Sequence, residues 1–318
     1  MYKIKQVPKD FFVREIPIYS LDEEGDYSYF TLHKENISTI DAVSILAKKL
    51  SIPLKRIGYA GNKDKVAITE QIISIKDVEA NAIGKVNLPF RLEFIGKGVN
   101  PISLGDLEGN YFRIVVRNLS MSRIKMSYLE RIPNYFGTQR FSEKNIEIGK
   151  AILMRNFGKA VELIDQREVK EYLELHTGDF IGAIRVLPLK LRKMYIHAYQ
   201  SWVWNLTVEV YLKRKLLKNE KIPIVGFGTE LGKDKISVII KKILKKEGVG
   251  LRDFVIKQFP ELSSEGSSRD LFMNVKDFKI ISIQEDDLNK GKFKAMVSFS
   301  LNPGSYATVL IDNLFKNY

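Results

Sequence analysis

The sequence predicts an α+β fold in which a helical middle interrupts a β-rich domain, and three observations carry this. Strand-like runs crowd both ends, near 10–33, 68–75, 88–95 and 110–117, then again near 278–284 and 293–301. From about 143 to 220 the pattern is mainly helical, with Leu191, Met194, Tyr195, Ala198, Trp202, Leu206 and Val210 at helical spacing. β-rich ends around a helical middle describe an insertion inside a discontinuous domain.

Taken in order, the first strands lie around Phe12-Val13-Arg14-Glu15 and Ser28-Tyr29-Phe30-Thr31-Leu32. Ser38-Thr39-Ile40-Asp41 then has the form of a capping box. It opens a helix with Ile40, Val43, Leu46 and Leu50 on one face, which Pro53 is expected to end. The strand at 110–117 leads to a helix near 123–132 and then to the long helical region. Residues 222–260 mix short strands with a basic helix, Lys241-Lys242-Ile243-Leu244-Lys245-Lys246.

Charge narrows the partners. The 318 residues carry 51 Lys+Arg against 38 Asp+Glu, a formal charge of +13, with 45% apolar residues for a core. Such a surplus favours a polyanion such as nucleic acid, with an anionic membrane surface second. No apolar run approaches the ~18 residues of a spanning helix, and Met1–Pro8 lack the apolar core of a signal peptide. There are no cysteines, which excludes disulfides, zinc ribbons and thiol catalysis. A cytoplasmic monomer is expected. His33, His176 and His197 are the only histidines, and none has metal-helix spacing. No Gly-x-Ser-x-Gly elbow is present. Gly61-Asn62-Lys63-Asp64 lacks the Ser/Thr of a phosphate loop. Gly226-Phe227-Gly228 hints at a dinucleotide fingerprint, but Gly232 falls one residue late.

The most informative segment is Gly58-Tyr59-Ala60-Gly61-Asn62-Lys63-Asp64-Lys65. It places one carboxylate between two lysines on a glycine-bracketed turn ahead of a strand. Glycines there are expected to supply backbone angles that a Cβ resists. A carboxylate beside fixed cations suits an ionised nucleophile or base. Alone, the octapeptide reads equally as a solvated turn. A second segment, Asn134-Tyr135-Phe136-Gly137-Thr138-Gln139-Arg140-Phe141, offers the π-faces, amides and guanidinium that an unstacked nucleobase and its phosphate require. Its bland alternative is a packed turn with Phe136 and Phe141 in the core. Leu301-Asn302-Pro303-Gly304-Ser305-Tyr306-Ala307-Thr308 is by itself only a turn.

Together these residues resemble the TruD family of pseudouridine synthases. Ala60-Gly61-x-Lys63-Asp64-Lys65-x-Ala67-x-Thr69-x-Gln71 is similar to its catalytic signature, and Asn134-Tyr135-Phe136-Gly137-x-Gln139-Arg140-Phe141 to its second. Lys5-x-x-Pro8-x-Asp10-Phe11-x-Val13-x-Glu15 resembles its opening motif. Ala198-x-Gln200-Ser201-x-x-x-Asn205 and Pro303-Gly304-Ser305-Tyr306-Ala307-Thr308 follow in family order. Two departures stand out: Ser142 replaces the glycine that usually ends the second signature, and Tyr306 stands where the family often has phenylalanine.

The resemblance implies an enzyme that isomerises uridine to pseudouridine in tRNA, at uridine 13 of the D-arm in the best-known case, with neither cofactor nor metal. It implies a pseudouridine-synthase catalytic domain built on a mixed sheet and interrupted by a family-specific α/β insertion domain. The expected limits are 1–154 with 281–318 for the catalytic part and 155–280 for the insertion, which holds 24 Lys+Arg and 16 Asp+Glu. Asp64 is implied as nucleophile. Phe136 is implied to stack on the flipped uracil and Asn134 to hydrogen-bond near it. Phe11 and Tyr306 are implied to line the pocket, and Lys5 to sit near the carboxylate or a phosphate. Lys63, Gln139 and Arg140 complete the substrate-binding set, Gln139 and Arg140 equally as loop braces or phosphate ligands. Trp202 and Trp204 are expected in the core. The alternative is a non-catalytic RNA-binding or RNA-folding protein on the same scaffold.

Overall fold

Phe11, Val13 and Glu15 alternate with Phe12 and Arg14, so the first strand buries one face and leaves the other at least partly open. This strand, β1 (Phe11–Pro17), lies near the middle of the principal sheet. The computed structural model describes residues 1–18, 21–22, 24–120, 132–141, 144–214 and 220–315. The helix expected near 123–132 lies almost wholly outside them, as does Ser142.

Around β1 the sheet is built from β2 (Tyr27–Glu35), β3 (Ile57–Tyr59), β4 (Ile68–Lys76), β5 (Arg91–Gly98), β6 (Leu107–Leu119), β9 (Val275–Glu285) and β10 (Phe293–Leu301). Its order is β5-β2-β4-β1-β6-β10-β9, with β3 paired to β4. The β1–β4 pair is parallel and its neighbours are antiparallel, so the sheet is mixed. β4 has two partners on one side. Its start pairs with β1 through Val13↔Thr69, and its end pairs with β3 through Tyr59↔Ile73. The eight residues 60–67, Asp64 among them, connect β3 to β4.

Helix α1 (Thr39–Leu50) starts where expected: Ser38 Oγ accepts the Asp41 N–H at 3.1 Å, a side-chain N-cap. It ends at Leu50, ahead of Pro53, because Ser51 turns left-handed (φ 54°) and its N–H returns to the last turn. Ala42, Val43, Leu46 and Ala47 bury against Phe30, Leu32, Ile73 and Ile75, and Ala80 and Ile83 of the short α2 (Ala80–Ile83) pack on the same cluster. α9 (Ala307–Phe315) follows the turn at Asn302–Ser305, which is closed by the Ser305 N–H on Asn302 O.

Two compact units result, Met1–Glu130 with Asn274–Tyr318, and Arg131–Met273. Packing sets these limits. Residues 145–153 form α3 (Asn145–Leu153), which buries Ile148, Ala151 and Ile152 and packs on the long α7 (Leu189–Lys213) in the second unit. At the return, β9 is already paired with β10 from Val275. The second unit also holds α4 (Phe157–Leu163), α5 (Arg167–Leu175), α6 (Phe180–Arg185), α8 (Lys235–Glu247) and a ribbon of β7 (Lys221–Ile224) with β8 (Ser267–Asp270).

The stripe expected on α7 is too narrow. Tyr195 and Ala198 are buried, but so are Tyr199, Gln200, Val203, Trp204 and Val208, because α3, α8 and β7 all contact this helix. Gly226 serves backbone contact. A Cβ there would come within 2.3 Å of the Glu265–Gly266 peptide, and Phe227 and Gly228 donate to Ser264 O and Glu265 O. The dinucleotide hint therefore has a packing explanation. No described helix is long and apolar enough to cross a membrane.

Candidate active site

The inward face of the sheet is apolar beneath α1 and turns polar beside the 60–67 loop. Along β2 the inward residues run Phe30, Leu32, Lys34; along β1, Phe11, Val13, Glu15; along β4, Ile75 and Ile73 give way to Gln71 and Thr69. These polar groups hold the loop. The Lys63 N–H donates to Thr39 Oγ1 at 2.9 Å, and that hydroxyl donates to Gln71 Oε1 at 2.7 Å. Gln71 Nε2 closes the circuit on Gly61 O at 3.0 Å. The Lys63 ammonium points to Glu15 Oε2 at 2.7 Å, in an ion pair whose side chains are 7% and 0% exposed. The other Glu15 oxygen accepts the Ile72 N–H at 3.4 Å, between the stretches of β4 that pair with β1 and with β3.

Asp64 is presented by this braced loop with its side chain 46% exposed. The cation beside it comes from the N-terminal segment: Lys5 Nζ lies 2.5 Å from Asp64 Oδ2. Lys5 has φ 56°, an uncommon conformation for a residue with a Cβ. Its ammonium also lies 4.2 Å from the centroid of the buried Phe11 ring, within cation–π range. The segment bearing Lys5 is fastened by the Lys3–Arg117 bridge and by Asp10, whose carboxylate accepts from Arg117 Nε at 2.9 Å. Arg117 Nη1 reaches Asp286 and Asp287, each at 2.8 Å. The first unit thus brings Lys5, Phe11 and Asp64 together, while the Lys63 side chain turns to Glu15. Tyr306, half-buried before α9, belongs to the same unit.

The glycines act differently from the expectation. Neither Gly58 nor Gly61 has a positive φ. Gly58 is needed for close approach, since a Cβ would meet Ile102 O at 2.3 Å. Gly61 is open, with Lys63 Nζ the nearest atom at 3.9 Å.

In the second unit, Asn134 and Phe136 are buried at 6% and 8% exposure. Asn205 on α7 grips the Phe136 backbone from both sides, accepting its N–H at 2.9 Å and donating to its carbonyl at 3.1 Å. The Phe136 ring meets Trp204 edge-on at 5.5 Å, and the Arg269 guanidinium lies 4.3 Å from its centroid. Arg269 also donates to Asn134 O at 2.8 Å and Asn134 Oδ1 at 2.7 Å. Arg140 lies 5.7 Å from the Phe136 ring and reaches Ser201 Oγ at 3.4 Å. The side chain of Gln139 lies outside the described residues. Trp204 is buried, its indole N–H on Ile222 O at 3.1 Å, whereas Trp202 is half-buried.

Lys34, Thr39, Arg117 and Arg269 join the site without being singled out by any functional motif in the sequence. Lys34 had a signal, a charge at an inward strand position. Arg269, in Ser267-Ser268-Arg269-Asp270, had none.

Comparison with known proteins agrees with this architecture. The family model described as tRNA pseudouridine synthase D (TruD) matches residues 2–169, 162–222 and 218–314. The chain is 31% identical to the tRNA pseudouridine synthase D of Aquifex aeolicus over 98% of both chains. It is 30% identical to a probable tRNA pseudouridine synthase D of Methanosarcina mazei, over 99% of this chain and 93% of that one. The crystal structure of a putative TruD from Methanosarcina mazei superposes with a TM-score of 0.75 at 28% identity, covering 99% and 93% of the two chains.

Proposed function

This chain belongs to the TruD family of tRNA pseudouridine synthases, and on that premise we propose that it isomerises uridine to pseudouridine in tRNA, at uridine 13 of the D-arm, with Asp64 as nucleophile. The observation that carries the reading is an accessible carboxylate on a braced loop, ion-paired to Lys5 at 2.5 Å. An Asp64 oxygen attacks the ribose carbon, and the glycosidic carbon–nitrogen bond breaks with its electron pair leaving on uracil. The ring rotates, its C5 bonds to the same carbon and displaces the carboxylate, the C5 proton is lost, and N1, which left with the electron pair, takes up one proton. Substrate and product are isomers, so the net reaction consumes no oxidant, reductant or group donor.

The target base must leave its stack, which costs a few kcal/mol. Phe136, with Asn134 and Arg140, is proposed to receive the uracil, since stacking at ~1–3 kcal/mol offsets much of that cost. Phe11 supports Lys5, and Tyr306 and Gln139 are proposed at the edges of the bound nucleotide. Asp64→Asn tests the reading. Pseudouridine formation, mapped base by base in tRNA, is expected to vanish while tRNA affinity stays within about threefold, since an amide is no substitute for the carboxylate nucleophile. Robust turnover by this variant would refute the assignment.

A further inference from the structure

We propose that Lys34 is a positioning residue for the reaction, fixing the main chain of Asp64 and through it the approach of the carboxylate to the ribose. This rests on Asp64 being the nucleophile. Lys34 occupies an inward position on β2, in register with Thr69, and is 3% exposed. Its ammonium donates to Ile37 O at 2.7 Å and to Asp64 O at 3.1 Å. One side chain therefore ties the turn before α1 to the peptide of the nucleophile. Thr39, two residues past Ile37, anchors the Lys63 N–H, so the Lys63–Asp64 segment is held at two consecutive residues from the same turn.

The choice of residue is informative. An ammonium removed from water and given neutral carbonyls as partners is a poor stabiliser, and an apolar chain of similar length would continue the row of Phe30 and Leu32. A costly charge retained beside a catalytic group points to function. Burial pushes the Lys34 ammonium down to about 8, Lys63 acts in the same direction, and Asp64 opposes them. Among the described residues, Asp64 and Lys63 are the charged groups that act on it.

Two opposite pH trends follow. Above about pH 8 the group loses its charge, the charge-assisted bond to Asp64 O weakens, and turnover falls. Its folded value lies below that of an unfolded lysine, ~10.4, so the folded state releases this proton first. Its contribution to folding stability therefore rises with pH between about 8 and ~10.4. A merely structural lysine would not separate the two trends.

Single-turnover rates on tRNA with saturating enzyme, from pH 6 to 10, test this alongside thermal melts. Lys34→Met is expected to lose about 10²-fold in rate at pH 7, a loss that misplacing a reacting group by about 1 Å can cause. Its tRNA Kd should stay within threefold, its Tm should not fall, and the wild-type decline above pH 8 should be absent. Lys34→Arg, charged throughout the range, should regain part of the rate at pH 9. Rates within threefold of wild type for Lys34→Met overturn the proposal, as does a loss that merely tracks the melted fraction. If Lys34→Met does not fold, the wild-type profiles decide. A rate falling through pH 8 without a parallel fall in stability supports the role, and coincident profiles overturn it. Asp64→Asn separates the two readings: an active variant sinks the nucleophile, whereas an inactive one beside a fully active Lys34→Met sinks only the role of Lys34.

Discussion

Lys63→Met distinguishes a substrate-binding lysine from a structural one. In the wild type the Lys63 ammonium neutralises Glu15 at 2.7 Å, and the Glu15 side chain has no exposure. Among the described residues, removing the cation leaves a carboxylate with only the Ile72 N–H at 3.4 Å and no exposed side-chain surface. Breaking a buried pair from one side costs about 3–5 kcal/mol. At roughly 2–4 °C per kcal/mol for a unit of this size, Tm should fall by about 6–20 °C. Removing both charges with Glu15→Met/Lys63→Met should recover most of this, because two apolar side chains of similar length leave no stranded charge. The assay is a double-mutant cycle on Tm and denaturant midpoint, with tRNA affinity measured on the folded fraction. A Lys63→Met protein that melts like wild type but binds tRNA more weakly would refute the structural reading and return Lys63 to the substrate-binding set.

Phe136→Ala should lower Tm, because the ring is 8% exposed and packs on Trp204 and Arg269; about 3–5 kcal/mol is the usual range. Phe136→Leu keeps apolar volume without the ring. It should melt near wild type yet lose single-turnover rate by the ~1–3 kcal/mol of stacking, and a wild-type rate would assign Phe136 to packing alone. On α8, Lys242 and Lys246 are exposed and share one face, while Lys241 is already on Gly232 O at 2.8 Å. If they touch phosphates, replacing both with Ala should make the salt dependence of tRNA affinity shallower by up to ~0.9 per contact while the bound-state rate stays constant. An unchanged slope would leave this helix to solvent.

Local signals in the sequence were enough for the mixed α and β character, for most strands and for the start of α1. Alternation and end-capping act within a few residues, and Ser38 caps its helix by bonding to a neighbour three positions away. The site loops were legible as composition: a carboxylate among glycines and lysines, aromatics among amides. Which cation meets Asp64 was not legible. Lys63 and Lys65 flank it in sequence, yet the contact is made by Lys5, 59 positions away, because Asp10 and Arg117 fasten the N-terminal segment across the sheet. Register likewise decided the partners of Glu15, Lys34 and Gln71. Each is a polar residue at an inward strand position, and only strand pairing determines what lies opposite. The limits of the two units depended on packing too, since α3 could be read as a helix from its own residues while its attachment to α7 is a long-range choice. Local bonding preferences are written into neighbouring residues. Ion pairs and packing between distant segments exist only once the chain has closed the sheet.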